Sequence, residues 1–272
     1  MYEEFFRMQH TPFARDIPVA DLYNSEILND IVGRLTYAAD RQLFAVVTSD
    51  AGCGKSTLIR RFVASLPKDQ YITLYLSDSK LTPRWLYKGL LDQLGIESRF
   101  YRGDAKRQFQ KEVELIRLIQ HKKAVIILDE AHLLDKETLE EFRFLLNYQF
   151  DSTSPTALVL VGQNELWDDK LRLRRYAAIC QRIDMRCTIP HLDRAETERY
   201  IRAHMSYAGC DSDVFTDKAI DEVYRVSTGI ARIINRVCEK SLMYAFQRQK
   251  HLIDDYTVRF VADHELGEGG QC

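Results

Sequence analysis

The chain lacks most of the features that would place it outside the cell or in a membrane. Its 272 residues include six cysteines (Cys53, Cys180, Cys187, Cys210, Cys238 and Cys272) with no C-x-x-C pair. That spacing suits free thiols in a reduced compartment better than a disulfide framework or a zinc site. No apolar run approaches the ~20 residues of a membrane span. The start, Met1 to Phe6, carries acids where a secretory leader carries basic residues. A cytoplasmic protein without a membrane contact is expected. Charge of one sign is scarce too: 38 Lys and Arg against 40 Asp and Glu leave a net charge of −2. Any nucleic-acid site must therefore be a local patch. The seven histidines are scattered and none forms H-E-x-x-H. No internal repeat or low-complexity segment is found. What remains is ordinary globular composition, 46% hydrophobic and 29% charged, enough for a full core without staples.

Against that plain background one stretch stands out, Ser49-Asp50-Ala51-Gly52-Cys53-Gly54-Lys55-Ser56-Thr57. An apolar run, Leu43 to Val47, precedes it and a helical pattern from Leu58 follows, so the order is strand, glycine loop, helix. Gly52 and Gly54 let the backbone curl and turn its N–H groups of residues 51–57 inward on a phosphate. The helix starting near Lys55 adds free N–H groups and the positive end of its dipole. Lys55 reaches the β- and γ-phosphates, and the Ser56 hydroxyl is a ligand for Mg²⁺. Ser49 stands where G-x-x-x-x-G-K-[ST] has its first glycine, and the start of the loop is expected to sit differently for it.

A second motif, Ala124-Val125-Ile126-Ile127-Leu128-Asp129-Glu130-Ala131-His132, reads as a strand buried on both faces that ends in adjacent acids. Asp129 is expected to hold Mg²⁺ and Glu130 to polarise the attacking water. Tyr71 to Leu76 reads as a strand between the two motifs, which with the Asp-Glu pair points to hydrolytic P-loop ATPases. Asp-Glu-Ala-His also occurs in helicases, which need a second motor domain for which this chain is short. Ala157 to Val161 is a further buried strand, tipped by Gly162, Gln163 and Asn164; an amide there would orient water or bond the γ-phosphate. A fifth strand is expected at Cys187 to Pro190. The intervening helices are read at 25–41, from the loop to Leu66, 83–94 ending at Gly95, 105–120 and 136–149. After Pro190 the pattern is helical only. Asp193 and Glu196 form a capping box, Thr216 caps a second helix, a long helix starts at Ile230, and Asp254 opens a short last one.

Three other stretches bear on ligands and partners. Residues 1–24 carry scattered aromatics, including Phe13, and read as an irregular arm that packs on the fold or flanks an adenine. Residues 97–107 interleave Arg99, Arg102, Lys106 and Arg107 with Phe100 and Tyr101, which reads as a solvated loop or a nucleic-acid contact. A basic run holds Lys170, Arg172, Arg174, Arg175, Arg182 and Arg186. In an ATPase that assembles, an arginine there can reach a neighbour's γ-phosphate.

Taken together, Pro12-Phe13, the loop at 49–57, Asp129-Glu130-Ala131-His132, Val161-Gly162-Gln163, Gln181-Arg182-Ile183 and Gly229-Ile230-Ala231-Arg232-Ile233-Ile234-Asn235 resemble the AAA+ ATPases of the ExeA-like group. The resemblance covers nearly the whole chain. It implies an α/β fold, a P-loop AAA+ three-layer sandwich with a parallel sheet, followed by a small all-helical lid, with ATP and Mg²⁺ as cofactors. The division it implies is an arm at 1–24, a nucleotide-binding domain at 25–190, a lid at 191–265 and a disordered tail at 266–272. It makes Gln163 the sensor-1 residue, Arg232 the sensor-2 arginine and Arg182 the best match for an arginine finger acting in trans, with Arg174 and Arg175 as rivals. Ala231 replaces the proline that often precedes sensor 2. The group includes helper ATPases encoded beside DDE transposases and a general secretion pathway ATPase.

Two functions follow from that resemblance. In the first, a homo-oligomer, ring or helical filament, forms on double-stranded DNA and recruits or regulates a transposase. DNA would then lie on Lys80, Thr82, Arg84, Arg99, Arg102, Lys106 and Arg107, with few phosphate contacts per subunit and weak sequence preference. The second is a secretion-pathway ATPase. Secretion members of the group carry a membrane span and a wall-binding module after the ATPase, and this sequence has neither, which favours the first. A third class is a nucleotide-switched regulator of a protein partner without DNA binding.

Overall fold

The computed structural model describes residues 2–78, 81–146, 154–210 and 212–265. The Ser79-Lys80 pair and the tail at 266–272 lie outside the described residues, so the tail expectation and the Lys80 candidate do too. The chain divides into two compact units, one of residues 26–51 and 55–189, the other of residues 1–25, 52–54 and the chain from Pro190 onward.

The first unit is built on a five-stranded sheet, β1 (Phe44–Thr48), β2 (Tyr71–Leu76), β3 (Lys123–Leu128), β4 (Thr156–Gly162) and β5 (Met185–Thr188). Its order is β2-β3-β4-β1-β5 and every pairing is parallel. The continuous apolar runs of β1, β3 and β4 follow from that position, because a central parallel strand is covered on both faces. Phe44, Val46, Ile126, Leu128, Leu158 and Leu160 point to one face. They pack there with α4 (Pro83–Gln93), α5 (Arg102–Leu118) and α6 (Lys136–Leu145). The alternate residues Ala45, Val47, Val125, Ile127, Val159 and Val161 are equally buried and face the other way. On that side α2 (Glu26–Arg41) runs across β1, β3, β4 and β5 beside α3 (Lys55–Ser65). This is the three-layer sandwich expected from the sequence. Two bounds differ. Helix α5 starts at Arg102 because Tyr101, extended, accepts its first N–H bonds at the main-chain oxygen. Strand β5 is Met185–Thr188 because its register against β1 runs from Met185↔Ala45 to Thr188↔Thr48.

The second unit is helical: α8 (Arg194–Tyr207), α9 (Asp217–Ser227), α10 (Ala231–Gln247) and α11 (Asp255–Glu265), with the four-residue α1 (Tyr2–Phe5) near the N-terminus. Both sides of the Asp193–Glu196 capping box are formed, and Thr216 and Asp254 cap as their chemistry predicts. Gly229 (φ +80°) makes the turn into α10, where a Cβ would lie 1.9 Å from the Leu192 carbonyl oxygen. The N-terminal stretch is not an irregular arm throughout. It opens on α1, and Tyr2, Phe6 and Phe13 enter this unit's core beside Ile201, Met205 and Val237. Phe13 (φ 61°) stacks on His204, with centroids 5.0 Å apart and planes 12° apart. Among the described residues no helix is long and apolar enough to cross a membrane.

Candidate nucleotide site

The order of the sheet puts β1 between β4 and β5, a switch point in a parallel sheet, and ligands gather at the carboxyl ends of strands there. Three neighbouring strand ends carry the two motifs and the tip amide. Thr48 ends β1 opposite Gly162 of β4, and Leu128 of β3 lies opposite Leu160. The loop after β1, Asp129-Glu130 after β3 and Gln163 after β4 are therefore brought to one edge.

At the start of the loop Ser49 is fully buried, does not take a positive φ, and donates its N–H to the Gly162 carbonyl at 3.3 Å. Serine thus costs no backbone strain at this position. Its side chain adds something a glycine could not. Lys55 Nζ donates to Ser49 Oγ at 3.2 Å, as well as to the carbonyls of Ser49 (3.1 Å) and Asp50 (3.0 Å). The ammonium is poised over the loop on neutral acceptors that a phosphate oxygen can replace. Asn164 Nδ2 donates to Asp50 Oδ1 at 2.6 Å and ties the β4 tip to the same loop. Ser56 lies in the exposed first turn of α3. The helix begins at Lys55 itself, so its first N–H groups face the loop.

Asp129 is 7% exposed. One oxygen accepts the Glu130 N–H at 2.8 Å and the other accepts the Tyr75 hydroxyl at 2.9 Å. Burial first, and that hydrogen bond second, push the Tyr75 hydroxyl up to about 12, so it remains a donor. No local pattern announces Tyr75, because it acts across the β2–β3 ladder, where it pairs with Ile127. Glu130 takes the left-handed backbone conformation (φ 52°, ψ 30°), a costly one for a non-glycine that is found where the surroundings hold a functional residue. Its carboxylate is 43% exposed, with His132 Nδ1 3.6 Å away. Gln163 meets the same imidazole at 3.1 Å. A hydroxyl and a carboxylate form an all-oxygen donor set that suits Mg²⁺, which keeps several waters and needs no protein cage. Among the described residues no group of three or more His, Cys, Asp or Glu could hold a metal by itself.

The three loop residues Gly52, Cys53 and Gly54 belong with the helical unit. Gly52 (φ +88°) accepts the Arg232 N–H at its carbonyl, 3.1 Å. A Cβ on Gly52 would lie 2.9 Å from Arg232 Cβ and 3.1 Å from Ile230 Cγ2. Arg232 itself is exposed in the first turn of α10.

Arg182 lies just before β5 and lines a cleft of about 760 Å³ with Arg41, Arg117, Lys122, Lys123 and Asp184. That cleft is at the amino ends of β1, β3 and β5, and the glycine loop is at the carboxyl ends. Strands of this length, at about 3.3 Å per residue, separate the two edges by roughly 15–20 Å. Arg174 and Arg175 are exposed in a 3₁₀ turn, Arg175 with its guanidinium 5.3 Å from the Tyr176 ring.

The basic candidates after β2 divide. Thr82 and Arg84 are exposed at the start of α4, with Arg84 4.3 Å above the Phe100 ring. Arg99 and Arg107 are exposed too. Arg102 and Lys106 are a correction. Both bond the buried Glu141 carboxylate, Lys106 at 2.8 Å, and Arg102 also reaches Glu137 at 2.6 Å. Tyr87 completes the cluster, donating to Glu141 at 2.7 Å. A buried carboxylate needs those cations, so they are spent within the fold. The partner lies 35 and 39 residues away in α6, beyond β3, and no local pattern announces it.

Fold and site together give a three-layer P-loop arrangement of the AAA+ kind, a parallel five-stranded sheet with flanking helices and a helical C-terminal part. Residues 38–168 match the family model described as AAA domain. The chain is similar to a general secretion pathway protein A from Aeromonas hydrophila, 33% identical over 258 residues, which cover 93% of this chain and 46% of that protein. It is also similar to an uncharacterised HTH-type transcriptional regulator of Methanocaldococcus jannaschii, 22% identical over 82% of this chain and 63% of that one. The chain thus spans roughly half to two thirds of the curated relatives it matches. Among solved structures, Cdc6p from Pyrobaculum aerophilum superposes with a TM-score of 0.69 at 15% identity, over 89% of this chain and 67% of that one. The Aeropyrum pernix ORC1 protein in complex with DNA gives 0.67 at 15%, over 93% and 68%. The Thermotoga maritima RuvB Holliday junction branch migration motor gives 0.60 at 16%, over 91% and 72%. At those identities the structural likeness speaks for the fold.

Proposed function

We propose that this chain hydrolyses ATP with Mg²⁺, assembles on double-stranded DNA as a ring or helical filament, and in that form recruits or regulates a transposase. The observation that carries the hydrolytic part is the convergence of Lys55, Asp129-Glu130 and Gln163 on adjacent strand ends. The N–H groups of Ala51, Gly52, Cys53, Gly54, Lys55, Ser56 and Thr57 cradle the phosphates. Lys55 leaves its loop carbonyls for the β- and γ-oxygens. Ser56 and Asp129 would hold Mg²⁺, which would supply positive charge against the developing charge on the phosphates. Glu130 orients the attacking water, Gln163 bonds the γ-phosphate and Arg232 senses the nucleotide; Phe13, buried in the helical core and stacked on His204, is engaged there and does not flank an adenine. Arg182 lies too far from its own loop to act in cis, and that supports a finger directed at the neighbour's ATP.

The DNA part rests on the exposed Thr82, Arg84, Arg99 and Arg107 beside exposed aromatics, and on the DNA named in the ORC1 complex. Two or three phosphate contacts per subunit lower log K by about 0.9 each per log unit of salt, with assembly supplying avidity. The similarity to general secretion pathway protein A favours a second reading, a secretion-pathway ATPase whose partner is a protein. Sedimentation with duplex DNA in ATP, in ADP and without nucleotide, over a salt series, separates them. ATP-dependent co-sedimentation that falls steeply with salt supports assembly on DNA. ATP binding with no such assembly refutes it and leaves the second reading.

A further inference from the structure

Asp129 is held from the edge of the sheet. Its main-chain N–H donates to the Leu76 carbonyl at 2.8 Å, and its side chain accepts the hydroxyl of Tyr75 at 2.9 Å. Strand β2 is the outermost strand on that side. Gln70 and Leu76 turn their carbonyls to β3, where Lys123 and Asp129 donate to them. Main-chain groups alternate in direction along a strand, so those of Tyr75 face away from β3. A sheet edge leaves such groups unpaired. Here Gln93, the last residue of α4, takes both. Its Oε1 accepts the Tyr75 N–H at 2.8 Å, and its Nε2 donates to the Tyr75 carbonyl. A side-chain amide offers one acceptor and a donor side by side, so Gln93 acts as one residue of a further strand.

The local sequence explains this reach. A Cβ at Gly89 would lie 2.8 Å from Leu76 Cδ2, so α4 lies close on the end of β2 there. Gln93 is four residues on, along the same helix face. Leu86, Leu90 and Leu91, all fully buried, fix the helix.

An ionised carboxylate offers about four lone-pair sites. The Glu130 N–H takes one on Oδ1 and the Tyr75 hydroxyl takes one on Oδ2. One fixed donor on each oxygen stops the carboxylate from rotating about its Cβ–Cγ bond. A site on each oxygen is left for a cation or for the waters it keeps. Both donors are uncharged. A lysine or arginine in place of Tyr75 would orient the carboxylate too, but its charge would oppose Mg²⁺. Tyr75 is 41% exposed, so its position depends on the clamped strand more than on core packing.

We infer that Tyr75 is a positioning residue that sets the Asp129 carboxylate for Mg²⁺, and that Gln93 acts through it by fixing the edge strand. The inference rests on the reading of Asp129 as a Mg²⁺ ligand. Groups that orient a metal ligand contribute about 10- to 100-fold to metal affinity.

The test is the affinity of the full chain for a non-hydrolysable ATP analogue, measured by calorimetry once with Mg²⁺ and once with EDTA. The ratio of the two affinities is the cation's own contribution. Tyr75→Phe removes only the hydroxyl. It should lower that ratio about tenfold and leave the affinity in EDTA as it was. A merely structural tyrosine would shift the thermal midpoint of Tyr75→Phe and leave the ratio alone. Gln93→Met should lower the ratio by less, and should add nothing in the double variant, because both act on one hydroxyl. Losses that multiply in the double variant overturn the part given to Gln93. A ratio lowered by Asp129→Asn and unchanged in Tyr75→Phe overturns the inference and leaves the reading of the site intact. A parent with the same affinity in Mg²⁺ and in EDTA, or an Asp129→Asn variant that keeps the parent's ratio, overturns both.

Discussion

Gly52 and Gly54 have nearly the same backbone, φ +88° and +95°, yet the cost of adding one methyl group should differ between them. The left-handed conformation costs any L-residue about 1–2 kcal/mol, and both alanine variants bear that cost. The surroundings separate them. A Cβ on Gly54 meets nothing within 4 Å, whereas one on Gly52 would lie 2.9 Å from Arg232 Cβ and 3.1 Å from Ile230 Cγ2. Neither neighbour is the free end of a flexible chain, because the Arg232 N–H is itself bonded to the Gly52 carbonyl. Overpacking of this kind costs about 1–3 kcal/mol. Gly52→Ala should therefore destabilise by about 2–5 kcal/mol in all and Gly54→Ala by about 1–2 kcal/mol. Urea unfolding of both variants without nucleotide measures the difference. Equal losses would refute the packing of α10's first turn on Gly52.

Lys55→Ala should weaken ATP binding at least about tenfold, since a charge-assisted hydrogen bond contributes about 1.5–3 kcal/mol; titration calorimetry checks this, and unchanged affinity sinks the loop assignment. Glu130→Gln should bind ATP as tightly as the parent and hydrolyse it about a hundredfold more slowly or worse, and its assembly should fail to come apart. Arg182→Ala should keep ATP affinity but lose cooperative hydrolysis; full activity would move the finger to Arg174 or Arg175, or remove it. Burial works to raise the Glu141 carboxyl, but the hydrogen bonds from Lys106, Tyr87 and Arg102 outweigh it and the net shift is downward. A group lowered in the folded state stabilises above its unfolded value, about 4.3, and that stability is lost as pH falls through the folded value. Thermal melts from pH 6 to pH 3 should fall less steeply below about pH 4.3 in Glu141→Gln than in the parent.

The sheet and the loop were legible because each is a local pattern. Residues 44–48, 71–76 and 124–128 are short apolar or β-branched runs, and a run buried on both faces looks the same wherever its partners come from. The capping residues Asp193, Thr216 and Asp254 act on N–H groups three residues on, so their chemistry is written within one turn. Glu130 and Gln163 were legible as strand-end residues, but the imidazole between them was not. His132 meets Gln163 only because β3 and β4 are neighbours.

By itself, then, the amino-acid order determined the alternation of strand and helix, the glycine loop, the acidic pair and the switch to helices after Pro190. All of these depend on contacts within a few residues. Tertiary structure alone decided the rest. It turned Arg102 and Lys106 inward to a carboxylate more than thirty residues away and set Tyr75 on Asp129. It carried Arg182 to the edge of the sheet opposite the loop, and it showed that Ser49 sits unstrained where a glycine was expected. The reason is common to all four. A charge, a hydroxyl or a backbone angle is judged by the groups around it, and in a parallel sheet those groups arrive from strands and helices distant in the chain.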